Sequence, residues 1–128
     1  MTPMSHRGLF LSAAWFNILV GLSFIVAMNT VAELTGLQIN PTAAMFIQIT
    51  AGLIVAFGIA YALVARDPVR YRLYVPFGAL LKVMVVVIIW GHWLAGNIPW
   101  LLPALATVDA IYAALFWRYY NEASTKIQ

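Results

Sequence analysis

The sequence contains no cysteine and has few charged residues. Of its 128 residues, 9% are charged, and only four are Asp or Glu. Without thiols the chain cannot form disulfides, bind an iron–sulfur cluster through thiolates or carry out dithiol redox chemistry by itself. A soluble domain has roughly 25% charged residues, so the composition excludes that class. The sequence also lacks a nucleotide-binding loop, a catalytic triad, a zinc motif and a paired-carboxylate glycosidase site.

Hydrophobic residues account for 64% of the chain, and the mean hydropathy is +0.91. They are concentrated in four apolar runs, at residues 9–28, 43–65, 73–95 and 101–119. Each run has about the twenty residues that a helix needs to cross a bilayer. Lipid does not tolerate unpaired backbone groups, and the runs lack the alternating pattern of barrel strands. The sequence therefore predicts an all-α fold: one membrane domain over residues 1–128, folded as an antiparallel four-helix bundle.

Basic residues predict the orientation of this bundle. Six of the seven Lys and Arg residues flank the runs on one side, and the two loops on the other side have none. The six are Arg7, Arg66, Arg70, Arg72, Arg118 and Lys126. The positive-inside rule then places both termini and the 66–72 loop in the cytoplasm. Because topology explains the net charge of +3, nucleic acid is not an expected partner.

Several helix boundaries are also predicted. Asn40-Pro41 is typical of an N-cap followed by Pro at the first helical position, and Asp67-Pro68 repeats that pattern. Pro76 lies inside the third run, where it either kinks the helix or separates a short interfacial turn from the membrane span. Residues 29–39 have apolar side chains at helical spacing, which predicts a short amphipathic segment at the outer surface.

Lys82 and Asp109 are the main candidates for a functional site. Each lies near the middle of an apolar run, where a charged side chain costs roughly 2.5–3.5 kcal/mol. The arrangement with the lowest free energy is one in which the two side chains pair. Asn17 and Tyr112 fall at the same depth, so we expect Asn17 to bridge from the first helix and the Tyr112 hydroxyl to bond the Asp109 carboxylate.

Gln48 and Thr50 on the second span are expected to face the bundle interior near the outer leaflet, either at the mouth of a polar pocket or as contacts between helices. We expect no metal site, and the sequence assigns no catalytic residue. The Lys82–Asp109 pair itself leaves two forms open, a charged bridge or a neutral amine beside a protonated acid. It also leaves two roles open: fixing helix register, or forming a ligand or proton site.

The chain resembles small bacterial four-helix membrane proteins of the DoxX-like type. The shared residues are Phe16, Asn17, Gly21, Gly58, Tyr61, Arg66, Asp67, Pro68, Gly78, Ala79, Lys82, Asp109 and Phe116. The resemblance spans nearly the whole chain and implies a four-helix bundle in a bacterial inner membrane. Through the better-known members it also implies a link to quinone-associated oxidation as an accessory subunit. It supplies no catalytic residues.

Three functions follow as hypotheses. The first is a non-catalytic or accessory bundle that binds a lipid-like or quinone-like molecule above the Lys82–Asp109 layer, because small-molecule sites combine apolar walls with few polar groups. The second is proton-coupled transport of a small solute by a dimer. The third is a membrane isomerase or oxidoreductase subunit. No resident cofactor is expected apart from a bound quinone or lipid. Membrane lipid is the expected partner, and a homo-oligomer and a larger membrane complex both stay open.

Overall fold

All the regular elements of the described chain are helices. A computed structural model describes residues 3–127, with side chains for residues 6–123 and 125. The side chain of Lys126, which the orientation argument uses, lies outside this part. The helices in chain order are α1 (Pro3–Val26), α2 (Met28–Thr35), α3 (Pro41–Arg66), α4 (Tyr74–Leu94) and α5 (Leu101–Ile127).

Four of these helices contain stretches long and apolar enough to cross a membrane. The stretches are His6–Val26, Pro41–Arg66, Tyr74–Leu94 and Leu101–Ala123. They agree with the four predicted spans, and the predicted four-helix membrane bundle is confirmed. The first span ends two residues earlier than predicted because the helix breaks at Ala27 and α2 follows it. This short α2 covers most of the segment predicted to be amphipathic.

The helix boundaries have local causes. Asn40 is the N-cap of α3: its side-chain oxygen accepts a hydrogen bond from the Ala43 amide at 2.7 Å, and Pro41 follows at the first helical position. Asp67 does not cap α4 as predicted. It ends α3 and accepts a bond from the Arg70 amide, which organises a turn over residues 67–73. The helix then restarts at Tyr74. Pro76 thus lies in the first turn of α4, where a missing N–H costs little.

Close packing joins α1 to α3 and α4 to α5. Along α1 and α3, glycine permits the approach. A Cβ atom at Gly21 would lie 2.7 Å from the Ala51 carbonyl oxygen, and one at Gly58 would lie 3.1 Å from the Ala14 carbonyl oxygen. Between α3 and α4, the Tyr61 ring lies directly against Gly78. The two helix pairs therefore contact each other through a few large side chains.

The two ends of the bundle are packed differently. We call the end with both termini and the 67–73 turn the basic end, and the opposite end the far end. The largest fully buried side chains lie toward the basic end: Tyr61, Phe10, Phe116, Val64 and Val75. At the far end, Gly36 ends α2 in a left-handed conformation with φ 73° and packs against Pro99 of the α4–α5 loop. The next residue, Leu37, reaches a cavity inside the far half.

Candidate functional site

A polar cluster lies at mid-height in the bundle. The Lys82 ammonium of α4 donates a hydrogen bond to Asp109 Oδ1 of α5 at 2.5 Å and another to Asn17 Oδ1 of α1 at 3.1 Å. The Asn17 amide in turn donates to the Ile54 carbonyl oxygen of α3 at 3.1 Å. Three side chains and one backbone carbonyl thus connect all four membrane-crossing helices.

Three aromatic rings surround the Lys82 ammonium. Its nitrogen lies 5.6 Å from the ring centre of Phe16, 5.3 Å from that of Tyr61 and 5.4 Å from that of Tyr112. Distances below about 6 Å allow a cation to interact with the negative face of a ring. The rings, the amide oxygen and the carboxylate all interact more favourably with an ammonium than with a neutral amine, so this environment suits the charged bridge.

The predicted residues do not all meet in this cluster. Asn17, Lys82 and Asp109 are in direct contact, with Asn17 bridging from α1 as expected. The Tyr112 ring is part of the cluster, but the expected bond from its hydroxyl to Asp109 is wrong, because the hydroxyl instead donates to Ser12 Oγ at 2.9 Å. Gln48 was expected to face the interior, and this is also wrong: its side chain is exposed on the outside of α3.

Phe16 and Tyr61 complete the aromatic cage but were not among the sequence candidates. Phe16 precedes Asn17 directly, and its position next to a buried amide was the available signal. Phe16 and Tyr61 also belong to the pattern shared with the DoxX-like proteins, but that pattern assigns neither a role, and only helix packing brings Tyr61, in the last turns of α3, against α4. Its hydroxyl is buried and has no hydrogen-bond partner among the described residues.

An apolar cavity of about 370 Å³ occupies the far half of the bundle. It is a half-open cleft with walls from α1, α3, α4 and α5, and its volume lies in the range of about 300–1,000 Å³ that is typical of small-molecule sites. Representative wall residues are Phe24, Phe46, Ile54, Val85, Ile89 and Leu105. Lys82, Asp109 and Asn17 also contribute to its surface and form its floor. Thr50 lies on the wall, with its hydroxyl bonded to the Phe46 carbonyl.

The two charged groups at the floor differ in their access to the cavity. The Lys82 side chain is only 4% exposed, whereas that of Asp109 is 19% exposed. Only Oδ1 of Asp109 is engaged in a hydrogen bond with a described residue. A molecule in the cavity would therefore meet the carboxylate first, with the ammonium behind it.

No family model, curated protein or solved structure matches the chain. The cluster and the cavity are therefore the structural features that bear on function.

Proposed function

We propose that this integral membrane protein binds a lipophilic small molecule, lipid-like or quinone-like, in the cleft of its far half. The observation that carries the proposal is the position of the Lys82–Asp109 pair at the floor of an apolar cavity. Sites for small molecules combine apolar walls with a few polar groups that orient the ligand, and this cavity has that composition. The DoxX-like resemblance favours the same class of ligand and an accessory role beside a quinone-linked enzyme.

The contrast between the two halves of the bundle supports binding rather than purely structural pairing. A polar layer that only sets helix register does not require a cavity beside it. Here large side chains fill the space toward the basic end, while the far side of the same layer is an open cleft. Membrane interiors that pack for stability alone bring helices together through small residues, as α1 and α3 do at Gly21 and Gly58.

Binding is testable by native mass spectrometry of the full chain released from lipid nanodiscs with decylubiquinol, the reduced form of decylubiquinone. We expect one bound molecule per chain. Val85→Phe should weaken binding because the larger ring narrows the cavity. The matched control is Val87→Phe, since Val87 is on the same helix but 64% exposed, away from the cavity. Equal binding by both variants would place the ligand elsewhere and remove the proposal.

Proton-coupled transport by a dimer is the second candidate. One observation favours it: Asp109 lines the cavity of the far half, whereas buried side chains fill the basic end, an asymmetry like that of one state of an alternating-access transporter. Proteoliposomes containing the native protein should then show solute flux that depends on a proton gradient. Flux that is unchanged in Asp109→Asn would rule out a transport mechanism through this group.

A further inference from the structure

The floor of the cavity also specifies the head group of the ligand. The more exposed group there is the Asp109 carboxylate, and an ionised carboxylate only accepts hydrogen bonds. Its Oδ1 accepts from Lys82, and its Oδ2 accepts no hydrogen bond from a described residue, so the carboxylate keeps acceptor capacity for a ligand. A head group that reaches the floor must therefore donate a hydrogen bond.

The net charge of the floor favours neutral heads over ionised ones. Lys82 and Asp109 neutralise each other at 2.5 Å, so neither a cation nor an anion gains a net counter-charge. An anionic head would also approach the carboxylate first, at close range and in apolar surroundings where repulsion is strong. A cationic head would have to compete with Lys82, which the Asn17 amide and three aromatic rings hold in place.

The other side chains at the floor do not offer an alternative. Asn17 is only 5% exposed, and its amide accepts from Lys82 and donates to the Ile54 carbonyl oxygen. The Thr50 hydroxyl, higher on the wall, donates to its own helix. Asp109 is therefore the polar group that distinguishes one lipophile from another.

We infer that the cavity selects neutral lipophiles whose head carries a hydroxyl donor, such as an alcohol, a phenol or a quinol, over the matched ether, quinone or carboxylate. This inference rests on the proposed ligand-binding function and narrows it to one class of head. A hydrogen bond to a charged group contributes about 1.5–3 kcal/mol, so the hydroxyl compound should bind roughly 10- to 100-fold more tightly than its ether.

The test compares para-nonylphenol with its methyl ether, para-nonylanisole, and with para-nonylbenzoate. Binding of each to the full chain is measured by native mass spectrometry from nanodiscs of identical lipid. We expect the phenol to bind at least about tenfold more tightly than the ether, and the benzoate most weakly. In the Lys82→Met, Asp109→Leu double variant, the preference for the phenol over the ether should disappear. The matched control, Val87→Phe, should keep the preference.

The outcomes separate this inference from the proposed function. Equal binding of phenol and ether to the native protein, or tighter binding of the benzoate, would overturn the hydroxyl preference and leave a lipophile-binding cavity. A preference that survives in the double variant would show that Asp109 is not its source, which also overturns the inference. If none of the three compounds binds, the cavity does not take single-chain lipophiles, and the proposed function fails together with the inference. The comparison on the native chain decides the question even if the double variant does not fold.

Discussion

Lys82 places a charge in the middle of a membrane bundle, which costs free energy, and it also links the helices to one another. Its ammonium lies in the apolar middle of the bundle, and its partners come from every other membrane-crossing helix, either directly or through Asn17. A charge bound in this way holds four helices at one register. The same arrangement leaves Asp109 partly accessible, so stability and ligand recognition depend on one pair.

The pairing of Lys82 with Asp109 predicts a specific order of stabilities. Asp109→Ala leaves a buried ammonium without its counter-charge and should lower the free energy of unfolding by about 3–5 kcal/mol. The Lys82→Met, Asp109→Leu double variant should lose less, because no buried charge remains. Unfolding in mixed micelles of increasing SDS content measures both. Equal losses would show that the two residues do not act as partners.

Tyr61 and Tyr112 allow the same chemical change at two different hydroxyls. The Tyr61 hydroxyl is buried without a partner among the described residues, so Tyr61→Phe should leave the free energy of unfolding unchanged or raise it by about 1 kcal/mol. Tyr112→Phe removes the bond to Ser12 and should lower it by about 0.5–1.5 kcal/mol. A clear loss in Tyr61→Phe would mean that its hydroxyl has a partner, for example a bound water.

At the scale of the helices, glycine position matters more than glycine content. Gly21 and Gly52 lie on neighbouring helices, but only Gly21 faces the α1–α3 contact. The same distinction separates Gly78, which lies against the Tyr61 ring, from Gly91 near the end of the same helix, which has no close neighbour. Helix pairs in this protein therefore depend on a few positions where a side chain does not fit.

Alanine substitutions at Gly21 and Gly52 should change the free energy of unfolding in opposite directions. At Gly21 the new Cβ would lie 2.7 Å from a backbone oxygen, which cannot move without separating α1 from α3, and we expect a loss of about 1–3 kcal/mol. At Gly52 no atom lies within 4 Å, and alanine should stabilise the helix by up to about 1 kcal/mol. The same SDS titration compares the two. Similar stabilities would contradict the close α1–α3 contact.

At the scale of the whole molecule, the basic end is tightly packed and the far end contains the cleft. The basic end contains the large buried side chains and the arginine-containing turn, while the far end contains the cleft, α2 and the Gly36–Pro99 contact. The distribution of basic residues predicts that the basic end is cytoplasmic, so the cleft should open in the half of the bilayer away from the cytoplasm.

The absence of cysteine makes this orientation easy to measure. Val69→Cys probes the turn at the basic end, and Gln38→Cys probes the linker after α2; both native residues are exposed. In intact cells a membrane-impermeant maleimide should label Cys at position 38 but not at position 69, which should react only after permeabilisation. The opposite labelling pattern would reverse the predicted topology.

The sequence alone predicted the features that follow from placing the chain in lipid. Lipid forces backbone groups to bond within each segment, so run length and hydropathy predicted four helices, and the cost of isolated charges predicted that Lys82 and Asp109 pair. The Asn40 cap was equally predictable, because it is contained within four consecutive residues, 40–43. The role of Asp67 was not predictable in this way. Asn40 and Asp67 both precede proline, and only the turn at residues 67–73 shows that Asp67 does not cap α4.

What only the tertiary structure decided is how the helices are rotated and how far apart they lie. Rotation turns Gln48 outward, directs the Tyr112 hydroxyl to Ser12 and brings the Phe16 and Tyr61 rings around the ammonium. Spacing leaves a cleft in the far half while the other half is filled. Hydropathy has nearly the same value on every face of these helices, so it does not determine rotation or spacing; the shapes of the packed side chains do.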